Sequence, residues 1–183
     1  MTEKEFLNSL KEALFPREVY INLGLDDAYV DERIEAYCPK PKKNQTQNIY
    51  GFSNDPLILL VNNYDLSKTE IGMISFDSEV TENEDYFYVG KVEVDYLCIS
   101  KISHEVVVLP FEDQLSVAYR CSQNSFLFLE SLVVAAKFLS KCSVDEDTYN
   151  NQNQICYIAE ICSDLAGGRT YLDLYKVLIG CDL

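Results

Sequence analysis

The chain of 183 residues carries 30 acidic and 15 basic residues and one histidine, for a net charge of −15 at pH 7. This balance disfavours nucleic acid and anionic membrane surfaces as direct partners, and it favours either a basic partner or simply high solubility. No stretch approaches the roughly 20 apolar residues of a membrane-spanning helix, and the charged N-terminus lacks the apolar segment of a signal peptide. We therefore expect a cytoplasmic protein.

The seven cysteines are odd in number, irregular in spacing and free of any Cys-x-x-Cys pair. A disulfide framework or a structural zinc site usually shows regular or paired spacings. We expect reduced, mostly buried thiols with no disulfide, and we expect no metal and no other cofactor.

Residues 1–48 are predicted to form N-terminal helices and a loop. Thr2 and Glu5 have the capping-box spacing that begins a helix, and Asp26 is placed to cap a second, shorter one. The loop Cys38–Asn48 holds the only basic patch of the chain. Lysines can contact phosphate, but we interpret this patch as a solvated loop.

Residues 49–140 are predicted to contain the sheet and its core helix. Short apolar runs bounded by turn-forming residues predict buried strands at Leu57–Val61 and Ile71–Phe76, with a further short strand at Ile49–Phe52. The acidic stretch Asp77–Asp85 that follows predicts a loop between strands or a mobile edge.

The most informative pattern lies between residues 86 and 139. A β-branched and aromatic run over residues 89–99 and a second apolar run, Val106–Leu109, predict a hairpin. A helix beginning at Ser125 follows, and it is apolar on most sides, so it should be largely buried. Nearly continuous apolar strands need helices on at least one face. The combination predicts an α+β domain.

Residues 141–183 are predicted to form a polar linker and a C-terminal helix pair. Apolar positions recur at helical spacing from Ile155 to Ala166 and again from Tyr171 to Ile179. Gly167-Gly168 separates the two helices. At this length we expect the whole chain, residues 1–183, to be a single domain.

The residues offer little catalytic chemistry. His104 is the only histidine, and it lies in the predicted hairpin turn beside Glu105. A Ser-His-Asp or Cys-His site would have to use it, whereas a turn histidine is usually only solvated. No glycine-rich phosphate loop is present, and Asp77–Asp85 does not fit the calcium-binding loop of an EF-hand. We expect no catalytic and no metal-binding residues.

Two sets of residues are candidates for binding a partner. Hydrated carboxylates steer basic proteins toward an acidic surface, and tyrosines are enriched at protein interfaces. Both sets also have ordinary explanations, as a solvated loop and as common strand residues. The candidates are Asp77, Glu79, Glu82, Glu84 and Asp85 in the acidic stretch, and Tyr86, Tyr88 and Tyr96 in the strands.

The order of these elements resembles the SUKH superfamily, whose domains are similar to fungal cell-wall-assembly regulators. The segments that carry the resemblance are Ile71-Gly72, Tyr86–Gly90, Asp95–Ile99, Glu105–Leu109 and Asn124–Leu129.

The resemblance implies an α+β fold. It would be a mostly antiparallel sheet of four to six strands with helices packed on one side, extended here by the C-terminal helix pair. It also implies no general catalytic activity, since many bacterial members are immunity proteins that bind and neutralise a cognate toxin, often a nuclease.

Such toxins are commonly basic, so an acidic chain suits a basic protein partner. Two alternatives stay open: a regulatory scaffold of the same fold, and an enzyme on an unrelated α+β fold. The oligomeric state is also left open.

Overall fold

The computed structural model describes residues 1–43, 52 and 54–181. The N-terminal part contains α1 (Glu3–Glu12), α2 (Arg17–Asn22), α3 (Asp27–Tyr37), β1 (Lys40–Pro41), α4 (Pro56–Asn63) and β2 (Tyr64–Asp65). The sheet contains β3 (Glu70–Ile71), β4 (Ile74–Glu82), β5 (Tyr86–Val92), β6 (Asp95–Ser100), β7 (Val106–Leu109) and β8 (Tyr119–Ser122). The C-terminal part contains α5 (Ser125–Cys142), α6 (Glu146–Tyr149), α7 (Gln152–Ala166), a 3₁₀ turn (Arg169–Tyr171) and α8 (Leu172–Ile179).

Within the described residues, six strands form one antiparallel sheet in chain order, from β3 to β8. Helices pack against one face of this curled sheet, and α7 and α8 form the expected C-terminal pair. The predicted fold class, α+β with a mostly antiparallel sheet and helices on one side, is confirmed. No described helix has the length and apolar character needed to cross a membrane.

The helix starts follow the capping residues in the sequence. Thr2 and Glu5 form the capping box: the Glu5 amide donates to Thr2 Oγ1 at 3.3 Å, and the Thr2 amide donates to Glu5 Oε2 at 2.8 Å. Asp26 caps α3 by accepting a 2.7 Å hydrogen bond from the Tyr29 amide. These bonds satisfy amides that the first turn of a helix leaves unpaired.

The core lies between the helices and the inner face of the sheet. Helix α5 is its centre, as predicted: Phe128, Leu129 and Leu132 are fully buried, and Asn124 Oδ1 caps the helix by accepting from the Leu127 amide at 3.0 Å. Inner-face residues such as Leu97 belong to the same cluster. Apolar burial on this scale is the main stabilising contribution to the fold.

The predicted strand Leu57–Val61 is wrong, because these residues form helix α4. Asp55 Oδ1 accepts hydrogen bonds from the amides of Leu57 and Ile58 at 2.9 and 3.1 Å, and Pro56 occupies the first helical position, where its missing amide is harmless. A short apolar run fits either a buried strand or a buried helix. Here the N-cap at Asp55 favours the helix.

The predicted strand Ile71–Phe76 is two strands joined by a tight turn. Gly72 has φ +59°, and a Cβ there would lie 2.7 Å from Leu178 Cδ1. Only glycine combines this left-handed conformation with such a close approach. The chain therefore reverses between β3 and β4, so that Ile71 pairs with Ile74.

The run over residues 89–99 is also divided between two strands. A turn at Glu93 and Val94, with Glu93 at φ 55°, ends β5 and begins β6. The predicted hairpin itself is confirmed, since β6 pairs antiparallel with β7 and Cys98 lies opposite Val107. Continuous apolar character concealed the turn.

The acidic stretch Asp77–Asp85 is mostly strand, which corrects the predicted loop. Strand β4 continues to Glu82, where Thr81 pairs with Tyr88 and Glu82 with Phe87. Only residues 83–85 form the turn, in which Asn83 Oδ1 accepts from the Asp85 and Tyr86 amides. Exposed strand positions tolerate carboxylates, so charge density does not exclude a strand.

The expectation of seven reduced thiols is wrong for one pair. Cys156 on α7 and Cys181, just after α8, form a disulfide with a Cα–Cα distance of 5.0 Å. Cys38, Cys98, Cys121, Cys142 and Cys162 are free. The packing of α8 back onto α7 brings together two cysteines that are 25 residues apart, a relationship that spacing alone does not show.

Part of the basic loop and of the first predicted strand lies outside the described residues. Of Ile49–Phe52, only Phe52 is described, and of Cys38–Asn48 only residues 38–43. Within that part, β1 pairs with β2. Lys42 Nζ donates to the carbonyls of Val61 and Ser78, both at 2.5 Å. Burial lowers the pKa of Lys42. This lysine therefore binds the protein's own backbone.

Candidate partner-binding face of the sheet

The face of the sheet opposite the helices carries its own small aromatic cluster, which we call the outer face. Cys98, Val107 and Leu109 are its buried residues, and the side chains packed against them come from strands. Those side chains are Tyr86, Tyr88 and Tyr96. Within the part of the chain that the structure describes, no helix contributes to this cluster.

The strand register explains why these residues meet. Tyr88 lies opposite Cys98, which lies opposite Val107, so the three form one row across β5, β6 and β7. In the next row Tyr96 lies opposite Leu109. Side chains at such cross-strand positions on one face are direct neighbours.

Strands β4 and β5 approach each other closely at Gly90. Gly90 has no side chain, and a Cβ there would lie 2.2 Å from the Ser75 carbonyl oxygen and 3.0 Å from Phe76 Cα. The strand register shifts on both sides of this contact, between Phe76 and Thr81 and between Tyr88 and Gly90. Bulges of this kind redirect side chains.

Three aromatic rings form a continuous platform. Tyr88 and Tyr96 meet edge to face with ring centroids 5.4 Å apart. Phe111 stacks on Tyr96 at 5.8 Å, although 60% of its own surface is exposed. The Phe111 amide donates to Asp95 Oδ1 at 2.9 Å, which holds the start of the β7–β8 loop against the sheet.

The Tyr88 hydroxyl ties two loops to this platform. It accepts a 2.8 Å hydrogen bond from Asn83 Nδ2 and donates one of 2.9 Å to Gln114 Oε1. Burial raises the pKa of Tyr88, and nearby Cys98 and Tyr96 contribute in the same direction. The hydroxyl therefore remains protonated at neutral pH and acts as a hydrogen-bonding group.

Asp77 lies on β4 directly after Phe76, whose pairing with Gly90 is the last one before the register of β4 shifts. It is half-buried, and none of the hydrogen bonds between described residues reaches its carboxylate. Burial raises the pKa of Asp77, and the charge of Lys91 opposes this shift. Burial and, secondarily, the charge of Asp77 raise the pKa of Cys98 to about 12. The charge of Asp77 thus acts on the cysteine that lies opposite Tyr88.

The structure does not bring the remaining acidic candidates to this platform. Glu82 forms an ion pair with Lys101, whose Nζ lies 4.6 Å from the Phe87 ring centroid. Phe87 belongs to the inner core. Glu79 is exposed on β4, and Glu84 and Asp85 are exposed in the turn after it. Of the predicted site, the three tyrosines are grouped on one face.

Sequence reasoning missed the contribution of the β7–β8 loop. Phe111 and Gln114 contact the platform tyrosines, and Leu115 on the same loop is 99% exposed. Glu112 and Asp113 on this loop are also exposed and place further negative charge beside the platform. An aromatic residue directly after Pro110, where the apolar strand ends, was the available signal.

The chain has one histidine, which lies in the turn between β6 and β7. His104 has φ 62° in its turn, and its ring lies 5.0 Å from that of Phe52. None of the hydrogen bonds between described residues joins its ring to a hydroxyl, thiol or carboxylate. No group of three or more histidine, cysteine or acidic residues in the described ranges could hold a metal ion.

A groove of about 520 Å³ lies on the other side of the molecule, between α5 and the C-terminal helices. Leu139, Cys142, Tyr149, Ile155 and Ile179 contribute to its wall. The described lining includes no carboxylate, histidine or basic side chain, so it offers no acid–base pair. The outer face is the better candidate site, because it combines exposed aromatic surface with charge.

Comparisons of the chain with protein-family models, with curated proteins and with solved structures found no match in any of the three.

Proposed function

We propose that this protein is a non-catalytic binding module that binds and neutralises a basic protein, as an immunity protein does for its toxin. The observation that carries the proposal is the outer face: an aromatic platform that no helix of the described residues covers, in a chain with a net charge of −15. A sheet face that carries exposed apolar and aromatic surface is a typical protein-interaction surface.

The platform has the composition of an interface centre. Tyrosine and phenylalanine supply large contact areas while losing little side-chain entropy, and such residues dominate binding energies at interfaces. Phe111 and Leu115 are exposed beside the half-buried Tyr88 and Tyr96. A partner that covered these four side chains would remove apolar surface from water. Each Å² of apolar surface buried in this way contributes roughly 25 cal/mol of favourable binding free energy.

The acidic surroundings support a basic partner. Four exposed carboxylates lie on the strands and loops of the sheet: Glu79 on β4, Glu84 in the turn after it, and Glu112 and Asp113 in the β7–β8 loop. Such hydrated charges contribute mainly to the association rate, and salt screens their attraction over about 8–10 Å. An anionic partner would be repelled by the same field, which disfavours nucleic acid.

The resemblance to the SUKH superfamily supplies the kind of partner, since many bacterial members are immunity proteins for toxins that are often nucleases. We also propose the cytoplasm as the compartment. There the Cys156–Cys181 disulfide meets reducing conditions, so the fold has to tolerate loss of that crosslink. Packing of Ala159, Leu174 and Leu178 between α7, α8 and the core supports this tolerance.

The direct test is neutralisation. The product of the gene immediately upstream is expressed in cells with and without this chain, and growth is measured. Growth arrest by the upstream product that this chain relieves would support the proposal. An upstream product that is not toxic, or toxicity that persists, would favour a regulatory scaffold or an enzyme instead.

Two double variants test whether protection depends on the outer face. Tyr88→Ala combined with Tyr96→Ala should abolish protection. Tyr149→Ala combined with Tyr157→Ala, which removes two exposed tyrosines from helices α6 and α7, should not. Melting temperatures of both double variants show whether loss of protection reflects loss of the fold.

A further inference from the structure

We infer that a pocket beside Arg33 is a binding site for a small ligand that carries one carboxylate and an apolar body. The pocket has a volume of about 360 Å³, within the range of roughly 300–1,000 Å³ that small-molecule sites occupy. Its wall comes from α3, from the chain on either side of β3 and from α5. These elements do not contribute to the outer face, so the inference does not depend on the proposed function.

Arg33 is a half-buried cation held between two tyrosine rings. Its guanidinium carbon lies 5.7 Å from the ring centroid of Tyr20 and 5.5 Å from that of Tyr37. Tyr20 is fully buried and Tyr37 is 5% exposed, so packing fixes both rings. Cation–π contacts at these distances orient the guanidinium, but they leave its charge without an anionic partner.

Arg33 has no acidic partner among the described residues, although the chain holds 30 acidic and 15 basic residues. Two other arginines do pair: Arg17 Nη2 lies 2.6 Å from Asp27 Oδ1, and Arg120 Nη1 lies 2.8 Å from Glu105 Oε1. A charge that is partly withdrawn from water without a counter-charge is unfavourable. An incoming anion therefore gains more at Arg33 than at an exposed lysine.

The guanidinium of Arg33 also has hydrogen-bonding capacity that the described residues leave unused. Its Nε is buried and has no hydrogen-bond partner among them. Burial disfavours the charge, but the Tyr20 hydroxyl and the charges of nearby tyrosines outweigh this effect and raise the pKa of Arg33. The side chain thus keeps its charge, and its terminal N–H groups can donate two parallel hydrogen bonds to a carboxylate.

Other charged side chains in the wall restrict the kind of anion. Glu32 and Glu70 line the pocket and are exposed. Lys68 also lines it, but forms an ion pair with Glu35. A ligand with two negative charges, such as a phosphate monoester, would be repelled by Glu32 and Glu70. A single carboxylate retains the contact with Arg33 and meets less repulsion.

The rest of the described wall is largely apolar or aromatic. Tyr29, which is 43% exposed, lines the pocket together with Ala36, Tyr37 and Leu139. Apolar and aromatic walls with a few polar groups are typical of small-molecule sites. The ligand therefore combines a carboxylate for Arg33 with an aromatic or aliphatic body for Tyr29 and Leu139.

The test uses three small probes that share a phenyl ring. Phenylacetate carries one negative charge, phenylacetamide is its neutral analogue, and phenyl phosphate carries nearly two negative charges at neutral pH. Each probe is titrated into the ¹⁵N-labelled full chain, and amide chemical shifts are followed by NMR. The amides of Arg33, Tyr37 and Gly72 report on the pocket, and those of Tyr88 and Tyr96 report on the outer face.

We expect phenylacetate to shift the pocket amides at millimolar concentration and to leave those of the outer face unchanged. Phenylacetamide should bind about tenfold more weakly, because it lacks charge-assisted hydrogen bonds. Phenyl phosphate should bind about threefold more weakly than phenylacetate, because of Glu32 and Glu70. Arg33→Gln should remove the response to phenylacetate. The control Arg169→Gln, which changes an exposed arginine outside this pocket, should retain it.

The inference stays testable if Arg33→Gln does not fold, since the three probes are compared on the parent chain. Glu70→Gln, which changes an exposed carboxylate in the wall, should also strengthen phenyl phosphate binding by about threefold. Equal binding of phenylacetate and phenylacetamide would overturn the inference, as would no response to phenylacetate or an unchanged response in a folded Arg33→Gln. Phenyl phosphate binding as tight as that of phenylacetate would overturn the choice of a single carboxylate.

Discussion

The Tyr88 hydroxyl donates a 2.9 Å hydrogen bond to Gln114 Oε1, which joins strand β5 to the loop between β7 and β8. That loop carries Phe111 and Leu115, which are 60% and 99% exposed. The bond therefore helps to hold in place the loop that carries the exposed part of the platform. It also gives Tyr88 two roles, as an aromatic surface and as a clamp.

Removing only the hydroxyl separates these roles. Tyr88→Phe should lower the free energy of unfolding by about 0.5–1.5 kcal/mol, the usual net contribution of a hydrogen bond. Amide exchange in residues 112–117 should accelerate, since the loop loses its contact with β5. Hydrogen-exchange mass spectrometry measures both the global and the local effect. Unchanged exchange in the loop would show that the clamp is unimportant.

The centre of the core is tested at Leu129, which is fully buried on α5. Leu129→Ala should lower the free energy of unfolding by about 2–5 kcal/mol, through lost apolar burial and the cavity that remains. Leu165→Ala on α7 is the matched control, because Leu165 is 37% exposed. Urea denaturation measures both variants. Similar small losses would mean that α5 is not the core helix.

The state of the cysteines can be counted. The disulfide between Cys156 and Cys181 predicts five thiols in denaturant without reductant and seven after reduction. In the folded protein only the partly exposed Cys38 and Cys142 should react with a thiol reagent. Burial raises the pKa of Cys98 and Cys162 to about 12 and keeps these thiols protonated. Seven thiols before reduction would contradict the disulfide.

The same disulfide predicts a stability difference. Closing a loop of this length restricts the unfolded chain and contributes about 3–4 kcal/mol in the chain-entropy treatment. Cys156→Ala combined with Cys181→Ala should therefore unfold at lower denaturant concentration than the oxidised parent. The reduced parent should match the double variant. If oxidised and reduced parent unfold together, the crosslink contributes nothing.

The Asp77 carboxyl predicts a pH dependence with a definite sign. Burial raises its pKa in the folded protein, so the folded state binds this proton more tightly than the unfolded state does. The ionised form therefore destabilises the fold above that pKa, and the effect disappears as the pH falls through it toward the unfolded value.

Asp77→Asn should accordingly be more stable than the parent at pH 7, by less than about 1 kcal/mol for a group this exposed. The advantage should vanish on acidification. Denaturation of both proteins across the acid range tests this comparison. A variant less stable than the parent at neutral pH would show that the carboxylate already has a favourable partner.

Sequence patterns predicted the long elements and failed where a single local contact decides the structure. Helix α5 follows from an apolar pattern over more than four turns. The five-residue run Leu57–Val61 has no such length, and the Asp55 cap converts it into helix α4. Strand β4 continues through the acidic stretch because it pairs with β5, a long-range relationship that local charge does not reveal.

The candidate site was predictable to a similar extent. Tyr86 and Tyr88 are two residues apart and so share a strand face, as a sequence shows directly. The grouping of Tyr96 and Phe111 with them depends on strand register and on a loop that folds back to Asp95. Apart from the aromatic residue that follows Pro110, neither relationship has a local sequence signal.

The central claim is that the outer face binds a basic protein. The most direct measurement is the dissociation constant between this chain and the upstream gene product for two matched variants, Phe111→Ala and Phe126→Ala. Both phenylalanines are exposed, but only Phe111 lies on the platform. Phe111→Ala should weaken binding by about tenfold or more, and Phe126→Ala should leave it within about twofold. Equal effects, or a larger loss at Phe126, would contradict the account.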